Sequence, residues 1–111
     1  MMEGHVRIPL AGTEGELVPS LGAAMTLCRD HGSFAALIDK LASYDMMAGI
    51  DVVHCGLART SEQREETRGQ VYETGMVVLV PHLIHFVGIL ANGGRPLPKE
   101  GEGEPTGPFD A

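Results

Sequence analysis

Two histidines three residues apart are the first candidates for chemistry in this sequence. On a helix, His82 and His85 would lie near one face. Neutral imidazole is a common metal ligand, and His54, Glu73 or Glu66 could supply a third ligand. Carboxylate-bridged helical metal proteins use Glu-x-x-His, however, and a leucine stands three residues before His82. We therefore expect no bound metal, and we expect the two histidines to be hydrogen-bonded core residues or contacts to a partner chain.

A proline next to these histidines suggests a pocket as an alternative. Pro81 inside a helix would remove one backbone hydrogen bond and clash with the carbonyl of the residue four positions earlier, which bends the helix. We expect the bend to fit the packing of the core. If it instead opens a pocket, the chain would be a small-molecule-binding protein or a small enzyme. The candidate residues of that pocket are His54, His82, His85, Asp51 and Glu73.

The two cysteines, Cys28 and Cys55, form no CxxC pair and no ligand cluster. His54 is next to Cys55, but neighbours on a helix point about 100° apart, and Cys28 with His31 has the better spacing. Neither thiol stands in a recognisable setting for a low thiol pKa. The sequence also lacks a phosphate loop, a nucleotide-binding fingerprint and zinc spacing. It leaves catalysis open and favours a non-catalytic protein without a cofactor.

The two cysteines and the N-terminal residues indicate in which compartment of the cell the protein is expected. Two unclustered cysteines are more often free thiols than a disulfide, although one long-range disulfide is possible. The first residues lack the basic start and apolar run of a signal peptide. Both observations favour a cytoplasmic protein.

The composition is that of one acidic domain. The chain has 111 residues, of which 43% are hydrophobic, and a formal net charge of −7. The hydrophobic fraction is enough for a core and argues against wholesale disorder. The negative charge repels phosphate backbones, and a chain with no Trp, 2 Tyr and 3 Phe has little with which to stack on bases. We expect no direct binding to nucleic acid.

The N-terminal residues predict an extended arm followed by a helix. Residues 5–10 alternate polar and apolar, as in a strand, and Pro9 would confine that strand to an edge. The lone strand would be an arm over 1–18 or would pair with a second chain. A helix is predicted to begin at Pro19, which suits a first helical position, and to end at His31 with Gly32. Its expected buried face carries Leu21, Ala24, Met25 and Cys28.

The next helix begins after Ser33, which is a good N-cap. We expect helical structure to about Ala58, with a break near Gly49. The β-branched residues at 50–53 leave a strand as the alternative there.

A last, long helix is predicted from Thr60 onward. Thr60 and Gln63 have the spacing of a capping box, and glutamates in the first turn meet the positive helix end. The segment Met76–Leu90 is apolar almost all round. The β-branched residues after Gly75 and the Asn-Gly pair at 92–93 leave a strand hairpin as the alternative.

The apolar segment also predicts association. A helix that is apolar on every side is buried in a core, an interface or a membrane, and this one is shorter than the roughly 20 residues of a bilayer span. The short helices of so small a chain would struggle to surround it, so we expect a second copy to cover it, most simply in a homodimer. The interface candidates are Met76, Val80, Leu83, Val87 and Leu90.

We therefore expect an all-α fold, a small bundle of three to four helices. The single domain would cover 1–95, and an acidic, Pro/Gly-rich tail would cover 96–111. The alternative is an α+β fold with strands near 50–54 and 76–90. The expected function is that of a small oligomeric interaction or accessory subunit, which acts through an apolar helical interface.

Overall fold

The chain folds as a β-hairpin followed by helices. The computed structural model describes residues 3–97. In chain order the elements are β1 Val6–Leu10, β2 Thr13–Leu17, α1 Leu21–His31, α2 Phe34–Ala42, α3 Met46–Gly56, a 3₁₀ helix Ser61–Gln63, α4 Arg64–Thr74 and α5 Met76–Ala91. The prediction of a mostly helical fold is confirmed, but a two-stranded antiparallel sheet means that the fold is not all-α. Residues 98–111, which form most of the predicted tail, lie outside the described part.

β1 and β2 are joined by a two-residue turn. Ala11 and Gly12 both have positive φ, at 51° and 85°, as a type I′ turn requires. The strand predicted over 5–10 is confirmed, but it pairs with β2 of its own chain and is not an unpaired arm. Both strands of a two-stranded sheet are edge strands, which accommodates Pro9. The side chains of β1 that enter the core are Val6, Ile8 and Leu10.

Side-chain caps fix the starts of the first three helices. Ser20, Ser33 and Asp45 each accept a hydrogen bond from the backbone N–H three residues later. The cap at Asp45 separates α2 from α3, with Tyr44 at a positive φ of 62° between them. The break predicted near Gly49 therefore lies earlier in the chain.

Gly49 itself lies inside α3, where it allows a close contact. A Cβ placed on Gly49 would lie 2.6 Å from Sδ of Met76, the first residue of α5. Its role is therefore to admit Met76 and not to end a helix. The strand alternative for 50–54 is wrong, because these residues are helical.

The long helix predicted from Thr60 is two helices that meet at Gly75. The capping box of Thr60 and Gln63 is present as predicted. Gly75 ends α4 with φ 98° and ψ 135°, a conformation that only glycine adopts readily, and the helices on either side are bent by 115°. The β-branched residues that follow are helical, so the strand alternative for 76–90 is wrong.

α5 is the central element of the core. It contacts α2, α3, α4 and β1, and these neighbours cover most of its apolar surface from Leu79 onward. Burying one large apolar side chain of α5 contributes about 1.5–3 kcal/mol to the free energy of unfolding, compared with leaving it exposed. α5 is therefore a main source of the stability of the fold. The buried residues of α5 are Leu79, Val80, Leu83, Phe86, Val87, Ile89 and Leu90.

Within residues 3–97, no single helix is both long enough and apolar enough to cross a bilayer. The helical segments Ser61–Thr74 and Met76–Ala91 together reach the length and composition of a membrane span, but the bend between them is 115°.

Candidate functional site

The residues predicted to line a pocket beside Pro81 are not brought together. His82 is half-buried and His85 is exposed on α5, and Glu73 is exposed on α4. None of the three lines either of the two pockets described below, which lie beside α1. In the described part of the chain, no group of three His, Cys, Asp or Glu side chains could hold a metal ion. His82 and His85 therefore have no third metal ligand beside them in the described part of the chain, and they do not line a pocket with the other predicted residues.

Asp51, another predicted pocket residue, joins four helices through an ionic network. Its Oδ2 lies 2.8 Å from Nε2 of His31, and its Oδ1 accepts a hydrogen bond from Arg64. The ammonium group of Lys40 donates to Nδ1 of His31 at 2.9 Å. Because Nδ1 accepts this bond, the ring proton of His31 is assigned to Nε2, which donates to Asp51. The four side chains come from α1, α2, α3 and α4.

The partial burial of Asp51 is as the sequence suggested, but the other three members of its network were not predicted. His31, Lys40 and Arg64 are 9 to 20 residues from their partners in the network. No local spacing marks such a set, because only the packing of the helices brings it together. Each member bonds to another member, so the network fixes the helices relative to one another.

His54 belongs to a second polar cluster, at the end of α3. Its Nδ1 lies 3.0 Å from Oγ1 of Thr67, and that oxygen also accepts a hydrogen bond from Arg59 at 3.0 Å. Arg59 donates to Oε1 of Gln70 as well, at 2.6 Å. Burial lowers the pKa of His54, and the positive charges of Arg64 and Arg59 lower it further. The ring is therefore neutral at neutral pH.

A pocket of about 370 Å³ opens between α1 and the end of α3. Thr26, His54, Cys55 and Arg59 are among its lining residues. Burial raises the pKa of the Cys55 thiol, and the negative charge of Asp51 raises it further, so the thiol is protonated at neutral pH. The polar groups of His54 and Arg59 already bond to α4. These lining residues provide no activated nucleophile.

The apolar face of α1 differs from the prediction. Leu21 and Met25, which were expected to be buried, are 76% and 64% exposed. The prediction is wrong because α1 packs on α2 and α3 through a neighbouring row, which contains Ala23 and Leu27. An uncovered row of apolar residues, here called the α1 stripe, therefore remains. It consists of Leu21, Ala24, Met25 and Cys28, of which Ala24 and Cys28 are half-buried.

A smaller pocket, here called the α1 groove, lies beside this stripe. Its volume is about 160 Å³, enough for one side chain of the size of Met or Leu. Leu21 and Ala24 of the stripe line it. The other lining residues are Pro19, Ser20, Leu90, Gly93 and Gly94.

A second group of uncovered apolar side chains lies where α3 and α5 begin. Val77 is 76% exposed and Met47 is 55% exposed, and Val78 is exposed beside them. The contact of Met76 with Gly49 brings the two helix starts together. We call this group the α3/α5 patch.

Four of the five interface residues predicted on α5 lie in the core instead. Val80, Leu83, Val87 and Leu90 are at most 6% exposed, and Met76 is half-buried against Gly49. The chain's own elements cover them, because α5 runs through the middle of the fold. Leu83 and Val87 have no exposed surface, so they cannot contact another chain while the fold is intact.

Comparison with known proteins does not identify a relative. A scan against protein-family models found no match, and neither did a search of curated proteins or a search of solved structures. The function proposed below therefore rests on the geometry of this chain alone.

Proposed function

We propose that the protein is a small, self-associating interaction or accessory subunit, which acts through exposed apolar helix faces. The observation that carries this proposal is the exposure of Leu21, Met25 and Val77, each more than 60% exposed, on α1 and α5. Scattered apolar residues are common on monomer surfaces, but grouped ones mark interaction sites. Covering each large side chain would contribute about 1.5–3 kcal/mol.

The polar side chains support a non-catalytic role. The network around Asp51 and the cluster around His54 are bonded within themselves, and Cys55 carries a protonated thiol. Such networks make a bundle rigid, which favours a fixed docking surface. Cys28 and Cys55 are both free, which fits the proposed cytoplasmic location.

A second candidate function, small-molecule binding, has one observation in its favour. The pocket of about 370 Å³ beside His54 is within the size range of ligand sites. It is the weaker candidate, because the ring of His54 and the guanidinium of Arg59 already have partners on α4. His82 and His85 do not line this pocket.

Light scattering after size exclusion tests the association directly. The variant carries both Leu21→Glu and Val77→Glu, so that it has a negative charge on the α1 stripe and another on the α3/α5 patch. Both positions lie in a first helical turn, where a glutamate meets the positive helix end, so the fold should persist, as circular dichroism would verify. We expect a mass above 11.8 kDa for the wild-type chain and 11.8 kDa for the variant. A wild-type mass of 11.8 kDa at every concentration would contradict the proposal.

A further inference from the structure

The network around Asp51 places an amine, a base and a carboxylate in a row. Nζ of Lys40 lies 2.9 Å from Nδ1 of His31, and Nε2 of the same ring lies 2.8 Å from Oδ2 of Asp51. Proteins activate a nucleophile by this arrangement, in which a base lies within hydrogen-bond distance of the nucleophile and a third group orients the base. With its proton on Nε2, the ring directs the lone pair of Nδ1 at the amine of Lys40.

The exposure of the three side chains fits this arrangement. The side chains of His31 and Asp51 are 8% and 18% exposed, so packing holds the ring and the carboxylate in place. Arg64 donates to the other oxygen of Asp51 and fixes the carboxylate further. Lys40 is only half-buried, so a dissolved reagent can approach it. The base is therefore inside the fold, and the nucleophile is at its surface.

We propose that Lys40 is a site of covalent acylation, which His31 and Asp51 promote. The co-reactant is an activated acyl donor, a compound whose carbonyl carbon carries a good leaving group. This reaction modifies the chain itself, once per molecule, and it does not depend on the proposed self-association. It converts the ammonium group of Lys40, the one cation that α2 supplies to the network, into a neutral amide.

The reaction needs no other reagent. The ammonium group of Lys40 first loses a proton to solvent, because only the unprotonated amine is a nucleophile. Its nitrogen then attacks the carbonyl carbon, so that a C–N bond forms and the bond from that carbon to the leaving group breaks. Nδ1 of His31 takes the proton that the nitrogen gives up and passes it to the leaving group. Asp51 holds Nε2–H and stabilises the transient positive charge of the ring.

The first experiment compares the folded and the denatured chain. The sequence has two lysines, and Lys99, outside the described residues, serves as the reference amine in the same sample. The full chain reacts with acetyl phosphate in buffer and in guanidinium chloride, and mass spectrometry gives the initial rate at each lysine. If the network only held the helices together, folding would shield Lys40 and slow its reaction. We expect the ratio of the Lys40 rate to the Lys99 rate to be at least about tenfold higher in the folded chain. A smaller rise, or a fall, would overturn the proposal.

The variant His31→Gln tests whether the ring is the base. Glutamine can accept a hydrogen bond from Lys40 but cannot take up its proton. We expect the ratio in the folded variant to fall by about tenfold, to near that of the denatured chain. His85→Gln, which removes an exposed histidine from α5, is the matched control and should keep the wild-type ratio.

Circular dichroism verifies that each variant is folded. A folded His31→Gln chain that keeps the wild-type ratio would overturn the proposal. If His31→Gln does not fold, the comparison of folded with denatured wild type still decides the question.

Discussion

His54 and His85 are both helical, but their surroundings give them different properties. His54 is buried and bonded to Thr67, whereas His85 is exposed on α5. Burial favours the neutral form of His54, and the nearby Arg64 and Arg59 favour it further, so its pKa is lowered from 6.5. This residue therefore contributes to stability only in its neutral form.

The lowered pKa of His54 predicts sensitivity to acid. Below pH 6.5 the unfolded chain binds a proton at this residue more readily than the folded chain does. The contribution of neutral His54 is thus complete above the unfolded pKa and is lost as the pH falls through the lowered folded pKa. We expect His54→Gln to reduce the fall in the urea midpoint between about pH 7.5 and about pH 5.

His85→Gln is the matched control for this pH dependence, because it removes an exposed histidine from the same chain. It should keep the pH dependence of wild type. An unchanged pH dependence in His54→Gln would show that the acid sensitivity comes from other groups.

The chemistry of single residues could be predicted only in part. Partial burial of Asp51 follows from its apolar neighbours in sequence, and the structure confirms it. Its partners, His31 and Arg64, come from two other helices, so nothing near Asp51 in the chain indicates them. The exposed stripe on α1 was missed because α1 has two apolar rows, and the choice between them depends on which neighbours pack against it.

At the level of elements, helix starts could be predicted better than helix breaks. Ser33 and the capping box at Thr60 act locally, and both occur as predicted. β2 was missed because its sequence, with Glu14, Gly15 and Glu16, has no alternation of apolar residues. Its pairing with β1 through the turn at Ala11 makes it a strand.

Gly75 offers a test of the bend between α4 and α5. Its φ of 98° is unfavourable for a residue with a Cβ, although no atom lies within 4 Å of where that Cβ would be. Gly75→Ala should therefore lower the free energy of unfolding by about 1–3 kcal/mol through backbone strain alone. Urea unfolding followed by circular dichroism measures this loss.

Gly69→Ala is the control for the bend. Gly69 lies inside α4, and it too has open space around its missing Cβ. Alanine there should stabilise the chain by about 0.4–1 kcal/mol, because it restricts the unfolded state. If Gly75→Ala were as harmless as Gly69→Ala, the strained conformation at the bend would be disproved.

At the level of the whole molecule, most of the apolar helix α5 is covered, and the uncovered apolar side chains lie on α1 and at the starts of α3 and α5. The prediction of association was drawn from the whole of α5, but the fold buries most of that helix and leaves the α1 stripe and the α3/α5 patch exposed. The proposal of association therefore now depends on the exposed side chains of Leu21, Met25 and Val77.

Peroxide oxidation of individual methionines, read by mass spectrometry, tests most directly whether a second copy covers the α1 stripe. Met25 is 64% exposed in the single chain and Met47 is 55% exposed, so the two should react at similar rates when the chain is monomeric. At concentrations above the Kd of association, we expect Met25 to oxidise several-fold more slowly than Met47, because association through the α1 stripe would cover Met25. Dilution below that Kd should make the two rates equal. Equal rates at every concentration would contradict the account.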